Sequence, residues 1–231
     1  VYFYIDPNGT LIIYGNGTMK DFNETDKAPW KEQKENIQHI MIKDGVENIG
    51  DEAFKELDKV KDVIISETVE DLGKDIFDGC EDLYEVEFEG TKPPTHTEGE
   101  DPFKGSEVVG AEVPEGYNGT EFGDIPLIVE KGECGQNQDE TVNGVRWMID
   151  NKRNLVIYGE GNMDDYQSPE TTEQQTKRAT VNEEAPWYTH KTRFDNIKVV
   201  GKVYSIGTFA FSHLDQVATI TITEYMKAIG D

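Results

Sequence analysis

Residues 37–88 read IQHIMIKDGVENIGDEAFKELDKVKDVIISETVEDLGKDIFDGCEDLYEVEF, and within them one apolar triplet returns at a fixed step. Ile37, Ile40 and Ile42 are followed 23 residues later by Val60, Val63 and Ile65, and 23 residues after that by Leu83, Val86 and Phe88. The same step carries Val46 to Val69, Ile49 to Leu72, Gly50 to Gly73, Ala53 to Ile76, Phe54 to Phe77 and Leu57 to Cys80. A period of this size marks a stack of supersecondary units, each too small to bury its own apolar edge and therefore dependent on its neighbours. Branched residues such as Val63, Ile64 and Ile65 favour extended backbone, and alternate side chains share a face, so each triplet predicts a short strand with Ile40, Val63 and Val86 pointing inward. Gly50 and Gly73 are expected to turn the chain at positive φ. A single helical turn is expected to follow through Glu52–Phe54.

The pattern Val46-x-x-Ile49-Gly50-Asp51-x-Ala53-Phe54, running on to Val60-x-x-Val63-x-Ile65, resembles the leucine-rich repeats of the BspA-like surface-protein family. Two such repeats, a preceding strand and a divergent repeat after them cover most of residues 37–113. The divergent one, Val108, Ala111 and Val113, follows Leu83, Val86 and Phe88 by 25 residues. The resemblance implies an α/β leucine-rich-repeat solenoid, dominated by parallel strands with short helical turns. It also implies a surface or secreted protein associated with adhesion, as in anaerobic bacteria and parasitic protists. It carries over structural residues only, and no binding site.

Outside the repeats, Val1–Ile5 and Leu11–Tyr14 flank Pro7-Asn8-Gly9, which predicts a β-hairpin. This stretch returns 144 residues later, where Val1, Phe3, Ile5, Leu11, Ile13, Met19 and Phe22 become Val145, Trp147, Ile149, Leu155, Ile157, Met163 and Tyr166. The offset then becomes 157: Ala28-Pro29-Trp30 maps to Ala185-Pro186-Trp187, and Ile37, Ile40 and Ile42 map to Phe194, Ile197 and Val199. Two tandem units are expected. The first covers 1–133, with a hairpin cap and Ala-Pro-Trp joint at 1–36, repeats at 37–113 and a linker at 114–133. The second covers 134–231, with its cap at 134–193 and the start of its repeats at 194–231. The second cap holds 13 additional residues within Gln167–Glu184, whose polar composition predicts a mobile loop, either idle or in contact with a partner. Ending at Asp231, just after the counterpart of Leu72-Gly73, the second unit is expected to continue in the natural chain.

The net charge of −25 repels phosphate backbones and anionic lipid, which sets nucleic acid and membrane surfaces aside as partners. No apolar run approaches the roughly 20 residues of a membrane helix, so no membrane insertion is expected in this segment. Cys80 stands at a repeat core position and reads as a small buried hydrophobe. Cys134 lies in an apparently polar linker, and a Cys80–Cys134 disulfide remains open. His39, His96, His190 and His213 have neither metal-ligand nor triad spacing. Gly15-Asn-Gly17 and Gly159-Glu-Gly161 lack the third glycine of a dinucleotide loop and read as turn glycines. Trp30 and Trp187 read as buried anchors between cap and repeats in preference to sugar platforms. No catalytic residue, metal site or cofactor is expected.

Four Asn-x-Thr sequons, at Asn8, Asn16, Asn23 and Asn118, exceed the roughly one expected by chance, and all fall in expected turns. They mark candidate N-glycosylation sites. The resemblance to BspA-like proteins implies a non-enzymatic extracellular or cell-surface protein that contacts protein partners, and the sequons support the extracellular compartment. The alternative is a self-assembling subunit of a surface filament or coat.

Overall fold

The structure, a computed structural model, describes residues 1–135, 144–167 and 184–230. The chain divides into two units, Val1–Ile128 and Val129–Asp231. Most of the inserted stretch at Gln167–Glu184 lies outside the described residues.

In the first unit the strands are β1 (Tyr2–Ile5), β2 (Thr10–Tyr14), β3 (His39–Ile42), β4 (Asn48–Ile49), β5 (Asp62–Ile65), β6 (Asp71–Leu72), β7 (Glu85–Phe88), β8 (Thr95–His96), β9 (Gly110–Glu112), β10 (Glu121–Phe122) and β11 (Ile125–Pro126). The expected hairpin forms from β1 and β2, with Phe3 opposite Ile13 and Ile5 opposite Leu11. Asp6 shapes its turn by accepting bonds from the Asn8 and Thr10 N–H groups, both at 2.9 Å. From β2 onward the sheet is parallel, in the order β1-β2-β3-β5-β7-β9.

The 23-residue step becomes a register. Leu11 pairs with Ile40 and Ile40 with Val63, while Ile13 pairs with Ile42 and Ile42 with Ile65. Ile65 then pairs with Phe88, and Val86 with Ala111, as the 25-residue step of the divergent repeat requires. All these side chains are buried in one core. A second parallel ladder, β4-β6-β8, stacks on another side of the repeat. Its last member is polar, and the Thr95 hydroxyl bonds the Asp71 carboxylate at 2.7 Å.

Three expectations need correction. First, no α-helix occurs among the described residues; only 3-10 turns appear, at Lys31–Asn36 and Tyr188–Arg193. In the segment after Gly50 the N–H groups alternate: Ala53 and Lys55 close local turns on the Gly50 and Glu52 carbonyls, each at 3.3 Å, while those between them donate to the next repeat. Glu52 bonds the Lys74 carbonyl at 3.0 Å, Phe54 bonds Ile76 at 2.9 Å and Glu56 bonds Asp78 at 2.6 Å. Glu52 and Glu56 themselves take φ of 50° and 60°.

Second, Gly50 and Gly73 are not among the positive-φ glycines. They are required by crowding: a Cβ on Gly50 would overlap the Lys20 carbonyl, and one on Gly73 would lie 2.5 Å from the Asp51 nitrogen.

Third, residues 114–133 are more than a linker, since they carry β10, β11 and the whole of the next strand. Phe122 and Ile125 are buried against the last repeat, with the Phe122 ring 4.9 Å from Phe88 and 5.9 Å from Phe103. An apolar repeat edge left in water is unfavourable, and these residues cover it.

The second unit contains β12 (Ile128–Glu133), β13 (Arg146–Asp150), β14 (Asn154–Tyr158), β15 (Glu160–Asn162), β16 (Asn196–Val199), β17 (Lys202–Ile206), β18 (Thr219–Thr221) and β19 (Ala228–Ile229). The β13–β14 hairpin repeats the first, with Trp147 opposite Ile157 and Asp150 accepting from the Lys152 and Asn154 N–H groups at 2.9 and 2.8 Å. Parallel pairing follows, Leu155 with Ile197 and Ile197 with Ile220, in a sheet ordered β12-β13-β14-β16-β18. A second ladder runs β15-β17-β19.

Candidate interaction surface

The residues singled out from the sequence fall into two groups, buried structural positions and exposed loops. Trp30 and Trp187 are buried anchors with the same geometry. Trp30 Nε1 donates to the Ala53 carbonyl and Trp187 Nε1 to the Ala210 carbonyl, each at 2.9 Å. The Trp30 ring sits between Phe3, Phe22 and Phe54 at centroid distances of 5.3, 5.4 and 5.7 Å. From there an aromatic column continues through Phe54, Phe77 and Phe103 at spacings of 5.6 and 5.8 Å. Neither indole presents a face to a sugar.

Cys80 and Cys134 are both free thiols. Cys80 is buried in the first unit, donates to the Phe54 carbonyl at 3.2 Å, and has its thiol pKa pushed up to about 12 by burial. Cys134 is also buried, in the core of the second unit, and its thiol is likewise raised by burial. Its polar sequence neighbourhood concealed this, because the side chain points away from that neighbourhood into the core. Thiols so protonated are poor nucleophiles and poor metal ligands.

Among the histidines, His39 Nδ1 bonds the Asp62 carboxylate at 2.7 Å across one repeat step, and His96 lies 3.4 Å from Asp124. Among the described residues no group of His, Cys, Asp and Glu is placed to hold a metal.

The four sequon asparagines are all exposed and occupy separate loops. Asn8 is in the β1–β2 turn and Asn16 follows β2, while Asn23 accepts from the Thr25 N–H at 2.9 Å, the Thr25 hydroxyl at 2.7 Å and the Asp26 N–H at 2.9 Å. The Asn118 N–H bonds the Thr91 carbonyl at 3.0 Å.

The sheet's outer face carries a feature that the repeat pattern did not reveal. Pleating sends Leu11, Ile13, Ile40, Ile42, Val63 and Ile65 inward, so the residues between them face outward. On that face Tyr4, Ile12, Met41 and Ile64 form one register row, which turns acidic at Glu87 and Glu112. Tyr2 and Tyr14 lie opposite each other beside it, and the Tyr14 ring is 5.8 Å from both Tyr2 and Tyr4. Tyr2, Tyr4 and Tyr14 are 69%, 50% and 41% exposed. Clustered tyrosines with aliphatic neighbours offer apolar area at low side-chain entropy cost together with hydroxyls for hydrogen bonding. Period-two alternation within Tyr2–Ile5 and Thr10–Tyr14 held the signal. In the second unit Tyr2, Tyr4 and Ile12 are replaced by Arg146, Met148 and Val156, so the outer face is not copied as the core is.

Among the described residues no helix is long and apolar enough to cross a membrane.

Comparison with known families agrees with the 23-residue step. The family described as BspA type Leucine rich repeat region matches residues 32–115 and 185–231 in six copies, more than half of the chain. No match is found among curated proteins. Among solved structures, the crystal structure of a leucine-rich repeat protein from Eubacterium ventriosum is similar at 16% identity and a TM-score of 0.38, over 99% of this chain and 59% of that one. The chain thus spans little more than half the length of that neighbour. With the 23-residue register and the family match on the same residues, the chain belongs to the BspA-type leucine-rich repeat family.

Proposed function

We propose that the protein is a non-enzymatic, extracellular or cell-surface leucine-rich-repeat protein, a solenoid of two tandem units that contacts other proteins. The observation that carries this reading is the exposed Tyr2, Tyr4 and Tyr14 cluster beside Ile12, Met41 and Ile64. Contiguous aromatic and aliphatic surface of this kind marks protein contact sites, and tyrosine is enriched among the residues that dominate binding energy. The strongly acidic remainder disfavours nucleic acid and favours partners with basic surfaces. No cofactor is required.

The test is adhesion of the purified protein to a panel of immobilised extracellular-matrix proteins, comparing the parent with a Tyr4→Ala/Met41→Ala variant. Both side chains lie on the outer face, so folding should survive while retention falls about tenfold or more. Equal retention of parent and variant would remove the outer face from the proposal. Glycan on Asn8, Asn16, Asn23 or Asn118 would accompany secretion from a eukaryotic cell, and mass spectrometry of native material reads it directly.

A second reading is a subunit of a surface filament or coat, in which tandem units assemble. Negative-stain imaging separates the two, since only the second produces long regular assemblies from purified protein.

A further inference from the structure

Three Asn-Gly-Thr triplets of the first unit begin at exposed asparagines: Asn8-Gly9-Thr10, Asn16-Gly17-Thr18 and Asn118-Gly119-Thr120. Their residues are identical, so a difference in their chemistry has to come from the fold. In the first, the Gly9 N–H donates to the Asp6 carbonyl at 3.1 Å, while the Asp6 carboxylate accepts from Asn8 and Thr10. In the second, the Gly17 N–H donates to the Gly45 carbonyl at 2.9 Å, and Gly17 forms a parallel bridge with Val46. Both glycines are turn residues, at φ of 82° and 102°.

The third triplet is held by its neighbours instead. The Asn118 N–H bonds the Thr91 carbonyl at 3.0 Å, and the Tyr117 hydroxyl bonds the Glu121 carbonyl at 2.7 Å. The Gly119 N–H donates to no acceptor among the described residues. Glycine is required at this position by packing, since a Cβ would lie 2.7 Å from Tyr117 Cε1 and 3.1 Å from Pro93 Cγ. An exposed carboxamide is therefore followed by a main-chain nitrogen that neither a side chain shields nor a hydrogen bond engages.

We infer that Asn118-Gly119 is a self-modification site, at which the folded protein converts asparagine to aspartate and isoaspartate through a succinimide. The Gly119 nitrogen attacks Asn118 Cγ. The new N–Cγ bond forms as the Cγ–Nδ2 bond breaks, and the Gly119 amide proton passes through solvent to the departing ammonia. Water then opens the ring at either carbonyl, and it is the only co-reactant. At Gly9 and Gly17 the N–H must first give up its carbonyl and the turn must open, which slows Asn8 and Asn16 by about tenfold or more. The product carries a new carboxylate, and its isoaspartyl form adds a methylene to the main chain beside Tyr117, whose ring packs 6.2 Å from Phe88. A glycan on Asn118 and this reaction exclude each other, because the nitrogen that would carry the sugar is the one that leaves.

The experiment incubates the intact chain in mildly alkaline buffer, native and in concentrated urea, and follows each triplet by peptide mass spectrometry with fragmentation that separates aspartyl from isoaspartyl products. In urea the three asparagines should convert at similar rates. In the native chain Asn118 should keep a rate within about threefold of its urea value, while Asn8 and Asn16 fall by about tenfold or more. Asp6→Ala, which loosens the turn around Gly9, should raise the native Asn8 rate about two- to tenfold and leave Asn118 unchanged. Native conversion of Asn8 or Asn16 as fast as Asn118, tenfold protection of Asn118 by folding, or an Asn8 rate unmoved by Asp6→Ala would overturn the assignment.

Discussion

Val63 and Ile220 are counterparts, in equivalent strands of the two units, yet Val63 is 1% exposed and Ile220 51%. Leu72 and Ile229 differ in the same way, at 2% and 63%. Nothing local separates them: each is a large aliphatic side chain at the inward position of its repeat. Val63 lies between Ile40 and the β7 repeat, whereas β18 is the edge of its sheet. Burial in this protein is thus supplied by the neighbouring repeat, as expected where stability is a sum of repeat and interface terms.

Charge substitution makes the contrast largest. Val63→Asp should bury an unpaired carboxylate and unfold the first unit, a loss of several kcal/mol, whereas Ile220→Asp at the exposed edge should change stability by about 0.5 kcal/mol or less. Chemical denaturation of the two variants reads both numbers. Equal losses would contradict the neighbour rule.

Where the units do match, matched effects are expected. Trp30→Ala and Trp187→Ala should each cost about 3–5 kcal/mol, since each removes a buried indole and leaves a carbonyl, Ala53 or Ala210, without its donor. A difference of more than about 2 kcal/mol would show that the two joints are not equivalent. Gly50→Ala and Gly207→Ala should follow at about 1–3 kcal/mol, because their Cβ atoms would meet the Lys20 and Asp164 carbonyls. Thermal melts of both variants check this.

The apolar period made the parallel strands and their register legible, because a repeated inward position leaves a repeated residue type. The sequon loops at Asn8, Asn16 and Asn118 were legible for a similar reason, since Asn-Gly is turn chemistry. What escaped was whatever depends on the neighbouring repeat. Glu52–Phe54 has the look of a helical turn, but the Glu52 and Phe54 N–H groups cross to the Lys74 and Ile76 carbonyls. The glycines at 50 and 73 invite a conformational explanation until the crossing backbone appears. β8 rests on Thr95 and His96, which carry no apolar signal, and Cys134 looks solvent-facing amid polar neighbours. Tyr2, Tyr4 and Tyr14 stand at the outward positions of their strands, which the inward apolar pattern does not mark.

The smallest expected effect concerns pH. Hydrogen bonds from the Thr10 N–H first, and then from Asn8, hold the Asp6 carboxyl below the usual carboxylate range, against a smaller opposing effect of desolvation. Its folded pKa lies below its unfolded value, so its contribution is fully present above the ordinary carboxylate range. That contribution is lost as pH falls through the folded value. Asp6→Ala should therefore be less stable than the parent at neutral pH, with the gap closing in acid. A gap independent of pH would show that the ionised cap is not what holds the turn.

Native-state hydrogen exchange, resolved by residue, tests the neighbour rule most directly. The slowest amides of the repeats should lie in β3, β5 and β7, each with paired strands on both sides, while β18 and β19 exchange orders of magnitude faster despite the same apolar pattern. Equal protection of β5 and β18 would contradict the account, because the repeats would then be stable on their own.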